Sequence, residues 1–262
     1  MIRSPLGLRL DPTRPIKEQI RAAASAGARG VVIDGSGDLA PEQLSDSGRR
    51  ELRQVLRSVG RDLIALNLPT RRPFDSLDQL EGRIARADLA FGLAYDLGTR
   101  LVLARVGGLP PAEEPARLEA FRTAIGELGR RAEHRGVRFA IEAGATPGGS
   151  LAAFLGSFGM PSLAVSLDPA SLLGQGIDPA LATRELGDLL AHAYANEASR
   201  SSTVLASLGG RGPAFPAGSL DWEEYLGSLE EVNYRGYLTV WPDPGTNPVQ
   251  QFEAISARLA RY

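Results

Sequence analysis

The sequence has no cysteine, a single lysine (Lys17) among 29 basic side chains, and only two histidines, His134 and His192, in 262 residues. The missing cysteine excludes disulfides, thiolate nucleophiles, zinc ribbons and iron–sulfur clusters. A Schiff-base lysine could stand only at position 17. With two histidines, any metal site must rest mainly on carboxylates. No G-x-S-x-G elbow precedes a helix and His192 is the one interior histidine, so a serine–histidine–acid triad cannot be assembled. No apolar run approaches the roughly 20 residues of a membrane span. The opening stretch Met1–Leu6 lacks the apolar core of a signal peptide, so a soluble cytoplasmic protein is expected. A net charge of −2 argues against a nucleic-acid-binding surface spread over the whole molecule.

What the chain does have is an alternation. Short aliphatic or β-branched runs at Leu6–Leu10, Gly30–Asp34, Leu63–Asn67, Arg100–Arg105, Val137–Glu142, Leu163–Asp168, Leu190–Asn196 and Tyr237–Trp241 are separated by segments of helical period. Punctuation agrees with this reading. Gly60, Gly98 and Gly136 stand where helices should stop, Ser76 with Gln79 forms a capping box, and Asn247-Pro248 opens a last helix. Eight strand–helix units of roughly 33 residues fill positions 1–262 and leave nothing for a second domain. The expected fold is therefore a single α/β domain, a (β/α)₈ barrel. The competing open doubly wound sheet lacks its G-x-G-x-x-G fingerprint, since Gly35-Ser36-Gly37 is only one G-x-G in a loop.

In such a barrel the active site lies on the C-terminal ends of the strands, and alternation selects the residues that face inward. These are Ala140 and Glu142, then Ala164, Ser166 and Asp168, then His192, Tyr194 and Asn196, then Tyr237, Thr239 and Trp241. Asp34, Asn67 and Arg105 end strands two, three and four. Glu142 and Asp168 on neighbouring strands suggest a divalent-metal site or a general base. At an assumed separation of roughly 6 Å and effective dielectric of about 20, their repulsion is about 3 kcal/mol. The other reading is that Arg105 neutralises them or that one is protonated. Without a cation between them, at least one should have a raised pKa.

The runs Ile141-Glu142-Ala143-Gly144, Val165-Ser166-Leu167-Asp168 and Ala191-His192-Ala193-Tyr194-Ala195-Asn196-Glu197 resemble the sugar phosphate isomerase/epimerase family. The tail shares its rhythm: the glycine-rich Leu208–Gly212, then Ser219-Leu220-Asp221-Trp222, then Tyr234-Arg235-Gly236-Tyr237-Leu238-Thr239-Val240-Trp241. The resemblance implies a xylose isomerase-like TIM barrel and a manganese or magnesium ion on four side chains. These are a Glu ending strand five, an Asp ending strand six, a His on strand seven and a Glu ending strand eight. The two glutamates would also move protons. Here the four positions hold Glu142, Asp168, Tyr194 and Trp241, and the histidine often found three residues after the Asp is Ser171.

A neutral phenol is a poor ligand for these ions, and an indole offers no lone pair. The expectation is therefore a degenerate metal site with Glu142 and Asp168 as a remnant pair, no cofactor, and no ordinary isomerase catalysis. The mouth would instead bind a small sugar or sugar phosphate through Asn67, Arg71, Arg105, His192, Tyr194, Asn196, Glu197 and Trp241. The alternative is a working isomerase or epimerase with Glu142 as base, and with His192 or Glu197 completing a rearranged manganese or magnesium site. Each residue also has a plainer reading: His192 as a core residue, Arg71 and Arg72 as solvated charges, Tyr194 and Trp241 as a plug. No nucleic-acid or membrane partner is expected, and self-association is left open.

Overall fold

A computed structural model describes residues 4–142, 144, 146–196, 220–243 and 245–262. Eight parallel strands close into a ring in chain order. They are β1 (Leu6–Arg9), β2 (Gly30–Asp34), β3 (Asp62–Leu68), β4 (Leu101–Ala104), β5 (Arg138–Glu142), β6 (Leu163–Leu167), β7 (Leu190–Tyr194) and β8 (Leu238–Val240). The ring shuts where β1 pairs with β8, Leu8 opposite Val240. Around it run α1 (Ile16–Ser25), α2 (Asp46–Ser58), α3 (Leu80–Leu97), α4 (Pro115–Arg135), α5 (Gly148–Gly156), α6 (Pro169–Leu173), α7 (Pro179–Leu186), α8 (Trp222–Glu231) and α9 (Pro248–Leu259). None of the described helices is long and apolar enough to cross a membrane.

Strand alternation divides the apolar residues into two clusters, as the parity of each strand requires. Phe139, Ile141, Leu163, Val165, Leu167, Leu238 and Val240 join the helices in the outer layer. Val32, Ala65, Leu103, Ala140, Ala164 and Tyr194 fill the barrel itself. Two strands carry one residue more than their neighbours. Register slips past Ile64 on β3 and past Ala191 on β7. The Thr99 hydroxyl donates to the Ile64 carbonyl at 2.8 Å, supplying the partner that the interrupted ladder does not. Ile64 is thereby turned toward the axis, and glycine at position 30 makes room for it. A Cβ there would lie 2.7 Å from Ile64 Cγ1 and 3.0 Å from the Asp62 carbonyl oxygen.

Several helix ends follow the punctuation. Gly98 and Gly136 close α3 and α4 in the left-handed conformation. The Asn247 side chain accepts from the Val249 and Gln250 amides ahead of Pro248, and Asp221 accepts from Glu224 ahead of α8. The capping box at Ser76 does not form. Gln79 is itself the left-handed N-cap residue of α3 and makes no side-chain cap bond. The loop before it is gathered instead by Arg83, whose guanidinium donates to the carbonyls of Pro73, Ser76 and Asp78. Strands four, seven and eight pair over shorter spans than expected, so Arg105, Asn196 and Trp241 sit just past the ladder.

Candidate functional site

At the mouth the central group is an arginine. Leu6 and Leu8 of β1 belong to the outer layer, which puts Gly7 and Arg9 on the inward parity. The Arg9 side chain is 6% exposed. Its Nε donates to Asp34 Oδ1 at 3.2 Å and its Nη2 to Asp34 Oδ2 at 3.3 Å, a two-pronged pair. Nη1 donates to the Tyr194 hydroxyl at 3.0 Å and lies 3.9 Å from Glu142 Oε1. The guanidinium carbon is 3.8 Å from the centre of the Trp241 ring. Asn67 Nδ2 donates to Asp34 Oδ1 at 3.1 Å, so that oxygen accepts from both Asn67 and Arg9. Burial works against the Arg9 charge, but Tyr194, Asp34 and Glu142 together outweigh it and hold its pKa above the ordinary value. Burial likewise pushes the Tyr194 phenol up, so it stays neutral.

Glu142 is shared between two guanidinium groups, because Arg105 Nε donates to its other oxygen at 2.5 Å. Arg105 is the outer of the two, with its side chain 59% exposed. The neighbouring carboxyl, Asp168, is the N-cap of α6. Its Oδ1 accepts from the Ala170 amide and from Asn196 Nδ2, both at 3.2 Å. Asn196 Oδ1 in turn accepts from the Trp241 backbone amide at 3.0 Å, tying strands six, seven and eight together at the rim. Burial, and then the charge of Glu142, raise the Asp168 pKa to about 6, the direction expected for one of this pair.

One layer deeper, His192 is fully buried with both ring nitrogens engaged. Nδ1 is 2.9 Å from Ser166 Oγ and Nε2 is 2.9 Å from Thr239 Oγ1. Burial, and then the Arg9 charge, lower its pKa to about 3, so the ring is neutral and spans two hydroxyls beneath Tyr194. That leaves no ring nitrogen for a ligand or ion, so a ligand-binding His192 is replaced by a core His192. Tyr194 is also fully buried, its ring 5.5 Å from that of Trp241. It plugs the barrel, whereas Trp241 stays partly exposed above it. Asn67 is 5% exposed and serves Asp34. Arg71 is exposed on the loop after β3, and Arg72 is ion-paired with Asp78. Glu197 and the glycine-rich segment 208–212 lie outside the described residues. Among the described residues, no group of three or more His, Asp or Glu side chains converges as a metal site would.

The site thus brings together Arg105, Tyr194, Trp241, Glu142 and Asp168, as the sequence suggested. It adds one residue that the strand patterns could have revealed. The alternation Leu6, Leu8, Leu10 already sets Arg9 on the inner face, and a charged residue on that parity of a barrel strand is the signal.

Residues 20–261 match the xylose isomerase-like TIM barrel family. The chain belongs to this family. No curated protein sequence matches it significantly. Among solved structures it is similar to a xylose isomerase domain protein from Planctomyces limnophilus, with 18% identity and a TM-score of 0.79 over 98% of this chain and 95% of that one. It is also similar to a D-psicose 3-epimerase from Clostridium cellulolyticum H10, with 17% identity and a TM-score of 0.78 over 98% of each chain. The 3-keto-D-glucoside 4-epimerase from E. coli is 14% identical, with a TM-score of 0.75 over 99% of this chain and 100% of that one. At such identities the likeness concerns the fold of this xylose isomerase-like barrel, and the chemistry of the mouth must be argued from its own residues.

Proposed function

We propose that this xylose isomerase-like barrel binds a small sugar-like or phosphorylated metabolite at its mouth, and does so without the divalent-metal chemistry of an isomerase. The supporting observation is the position of Arg9. Its guanidinium lies between Asp34 and Glu142, against Tyr194 and Trp241, where two of the four family ligands would stand. A divalent ion does not fit this donor set. The Tyr194 oxygen already accepts from Arg9, the Trp241 indole has no lone pair to give, and both Glu142 oxygens face guanidinium groups. What faces outward is the exposed guanidinium of Arg105 and the partly exposed indole of Trp241. The first can exchange Glu142 for an incoming phosphate or carboxylate, and the second offers an apolar face to a sugar ring.

The other reading, an isomerase or epimerase with Glu142 as base, would need Glu142 released from Arg105. In its favour stands Asp168, a neighbouring carboxyl whose pKa of about 6 suits proton transfer near neutrality.

Elemental analysis of protein purified without chelator, paired with thermal melts in manganese and magnesium, tests the proposal. It expects no stoichiometric metal and no saturable rise in Tm. A bound equivalent of metal that is lost in Glu142→Gln would overturn it and revive the isomerase reading.

A further inference from the structure

Most polar groups at the mouth are already engaged with one another. Arg9 directs its donors at Asp34 and Tyr194, and both Glu142 oxygens face guanidinium groups. Asn67 is bonded to Asp34, and Asn196 to Asp168 and the Trp241 amide. Among the described residues, two of these groups keep atoms that no bond reaches. Arg105 donates to Glu142 through Nε alone, which leaves both terminal nitrogens of its fork open. Asp168 accepts from Ala170 and Asn196 on Oδ1 alone, which leaves Oδ2 open. The two groups feel each other. Burial works against the Arg105 charge, but Glu142 and then Asp168 outweigh it and raise its pKa.

The Arg105 backbone is held while its side chain is not. The Thr70 hydroxyl donates to the Arg105 carbonyl, and the next carbonyl, on Val106, accepts from the Phe74 amide at 2.7 Å. Beyond that anchored backbone the side chain is 59% exposed, so the fork can turn from Glu142 to a ligand while Glu142 keeps Arg9 at 3.9 Å. Arg105 offers only donors and an ionised Asp168 only acceptors. Together they call for a ligand that accepts at one end and donates close by. A planar carboxylate matches the single fork of Arg105. A phosphate dianion would set twice the charge against Asp168 and Glu142, with one exposed guanidinium to meet it. A hydroxyl is the donor that Asp168 Oδ2 lacks. The partly exposed Trp241 indole, its ring centre 5.7 Å from the Arg105 guanidinium carbon, gives the ligand's carbon chain an apolar neighbour.

We propose that the mouth selects hydroxylated carboxylic acids of the sugar-acid class, with Arg105 holding the carboxylate and Asp168 Oδ2 accepting from a nearby hydroxyl. This rests on the metal-free binding reading above and narrows it to one class of ligand.

The test is calorimetric titration of the full chain in EDTA at pH 7.5 with open-chain six-carbon probes. These are D-gluconate and its C2 epimer D-mannonate, then D-glucitol without the carboxylate, hexanoate without the hydroxyls, and glucitol 6-phosphate. At least one of the two aldonates should bind saturably. The other three probes should bind at least about tenfold more weakly, the scale of one charge-assisted hydrogen bond. Arg105→Met should erase the preference for aldonate over glucitol, and Asp168→Asn should shrink the preference for aldonate over hexanoate. Each effect is a ratio within one variant, so a loss of folded protein cannot imitate it. Arg100→Met, on an exposed arginine stacked over Tyr95 at the opposite end of the barrel, should leave both ratios unchanged. The proposal alone is overturned if glucitol, hexanoate or glucitol 6-phosphate binds in EDTA as tightly as the aldonates, if neither aldonate binds, or if the Arg105 and Asp168 variants keep the parent ratios. Aldonate binding that appears only when manganese replaces EDTA would overturn the metal-free reading as well.

Discussion

Arg9 and Trp241 meet across the seam where the barrel closes, the guanidinium carbon 3.8 Å from the indole ring centre. One residue ends the first strand and the other follows the last, so the seam is held at the mouth by a desolvated cation–π contact as well as by the β1–β8 ladder. The same guanidinium is the only cation between Asp34 and Glu142 among the described residues, apart from Arg105 on the outer side of Glu142. Arg9→Met should therefore cost about 3–5 kcal/mol, the range for removing one partner from a buried ion pair. The triple variant Arg9→Met, Asp34→Asn, Glu142→Gln should recover most of that loss, because no uncompensated charge remains. Urea melts of the two variants and the parent chain measure both effects. A loss below 1 kcal/mol for Arg9→Met would show that the arginine is not what holds the carboxylates.

Asp168 should set a pH dependence of the opposite sign to that of most carboxylates. Its pKa is raised to about 6 in the fold, by burial first and then by Glu142, against about 3.9 when unfolded. Between those values the folded chain holds more proton than the unfolded one, so this group's contribution to stability falls as pH rises from about 4 to 6. Above pH 6 the penalty is complete. Asp168→Asn keeps an oxygen to accept from Ala170 and Asn196 while removing the charge. It should stabilise the protein by about 1–3 kcal/mol at pH 7.5 and have little effect at pH 4. Equal effects at the two pH values in urea melts would rule out the charge as the cause.

Most of the barrel was legible because its signals are periodic. Strand parity separated Phe139 and Ile141 from Ala140 and Glu142 correctly, and glycine at 98 and 136 marked helix ends that the structure closes in the left-handed conformation. What sequence could not supply was anything decided by a contact between distant elements. Ser76 and Gln79 have the spacing of a capping box, yet Arg83 gathers their loop by its carbonyls and the helix starts later. The bulge at Ile64 depends on Thr99, 35 residues away. Arg9 lay in plain view on the inner parity, but its role appears only once Asp34, Glu142, Tyr194 and Trp241 surround it. His192 could be narrowed to a core or ligand role, and the two hydroxyls on its nitrogens decide for the core.

His192 should oppose Asp168 in the pH profile. Its pKa is lowered to about 3, by burial first and then by Arg9, against about 6.5 when unfolded. Over that window the unfolded chain binds the extra proton, so the histidine's contribution to stability rises with pH and is lost as pH falls toward 3. His192→Gln should flatten this part of the profile relative to the parent. In nitrogen-detected NMR the His192 ring should keep the pattern of a neutral imidazole down to pH 4. A ring that titrates near 6 would mean that the Ser166–His192–Thr239 bridge is open to water.

Gly30 is required by a neighbour rather than by its own backbone. A methyl group there meets Ile64 Cγ1 at 2.7 Å and the Asp62 carbonyl oxygen at 3.0 Å. Neither can swing aside easily, since one atom is next to a β-branched centre inside the barrel and the other is backbone of the paired strand. Overpacking of this kind costs about 1–3 kcal/mol, so Gly30→Ala should lower stability by that amount. Ile64→Ala alone should also destabilise, by opening a cavity at the floor, on the order of 2–5 kcal/mol. Combined, the two changes should cost less than their sum, because the alanine methyl enters the space that Ile64 leaves. A double-mutant cycle by urea denaturation gives the coupling directly. Strict additivity would mean that the bulge on β3 relaxes away from Gly30 instead of pressing against it.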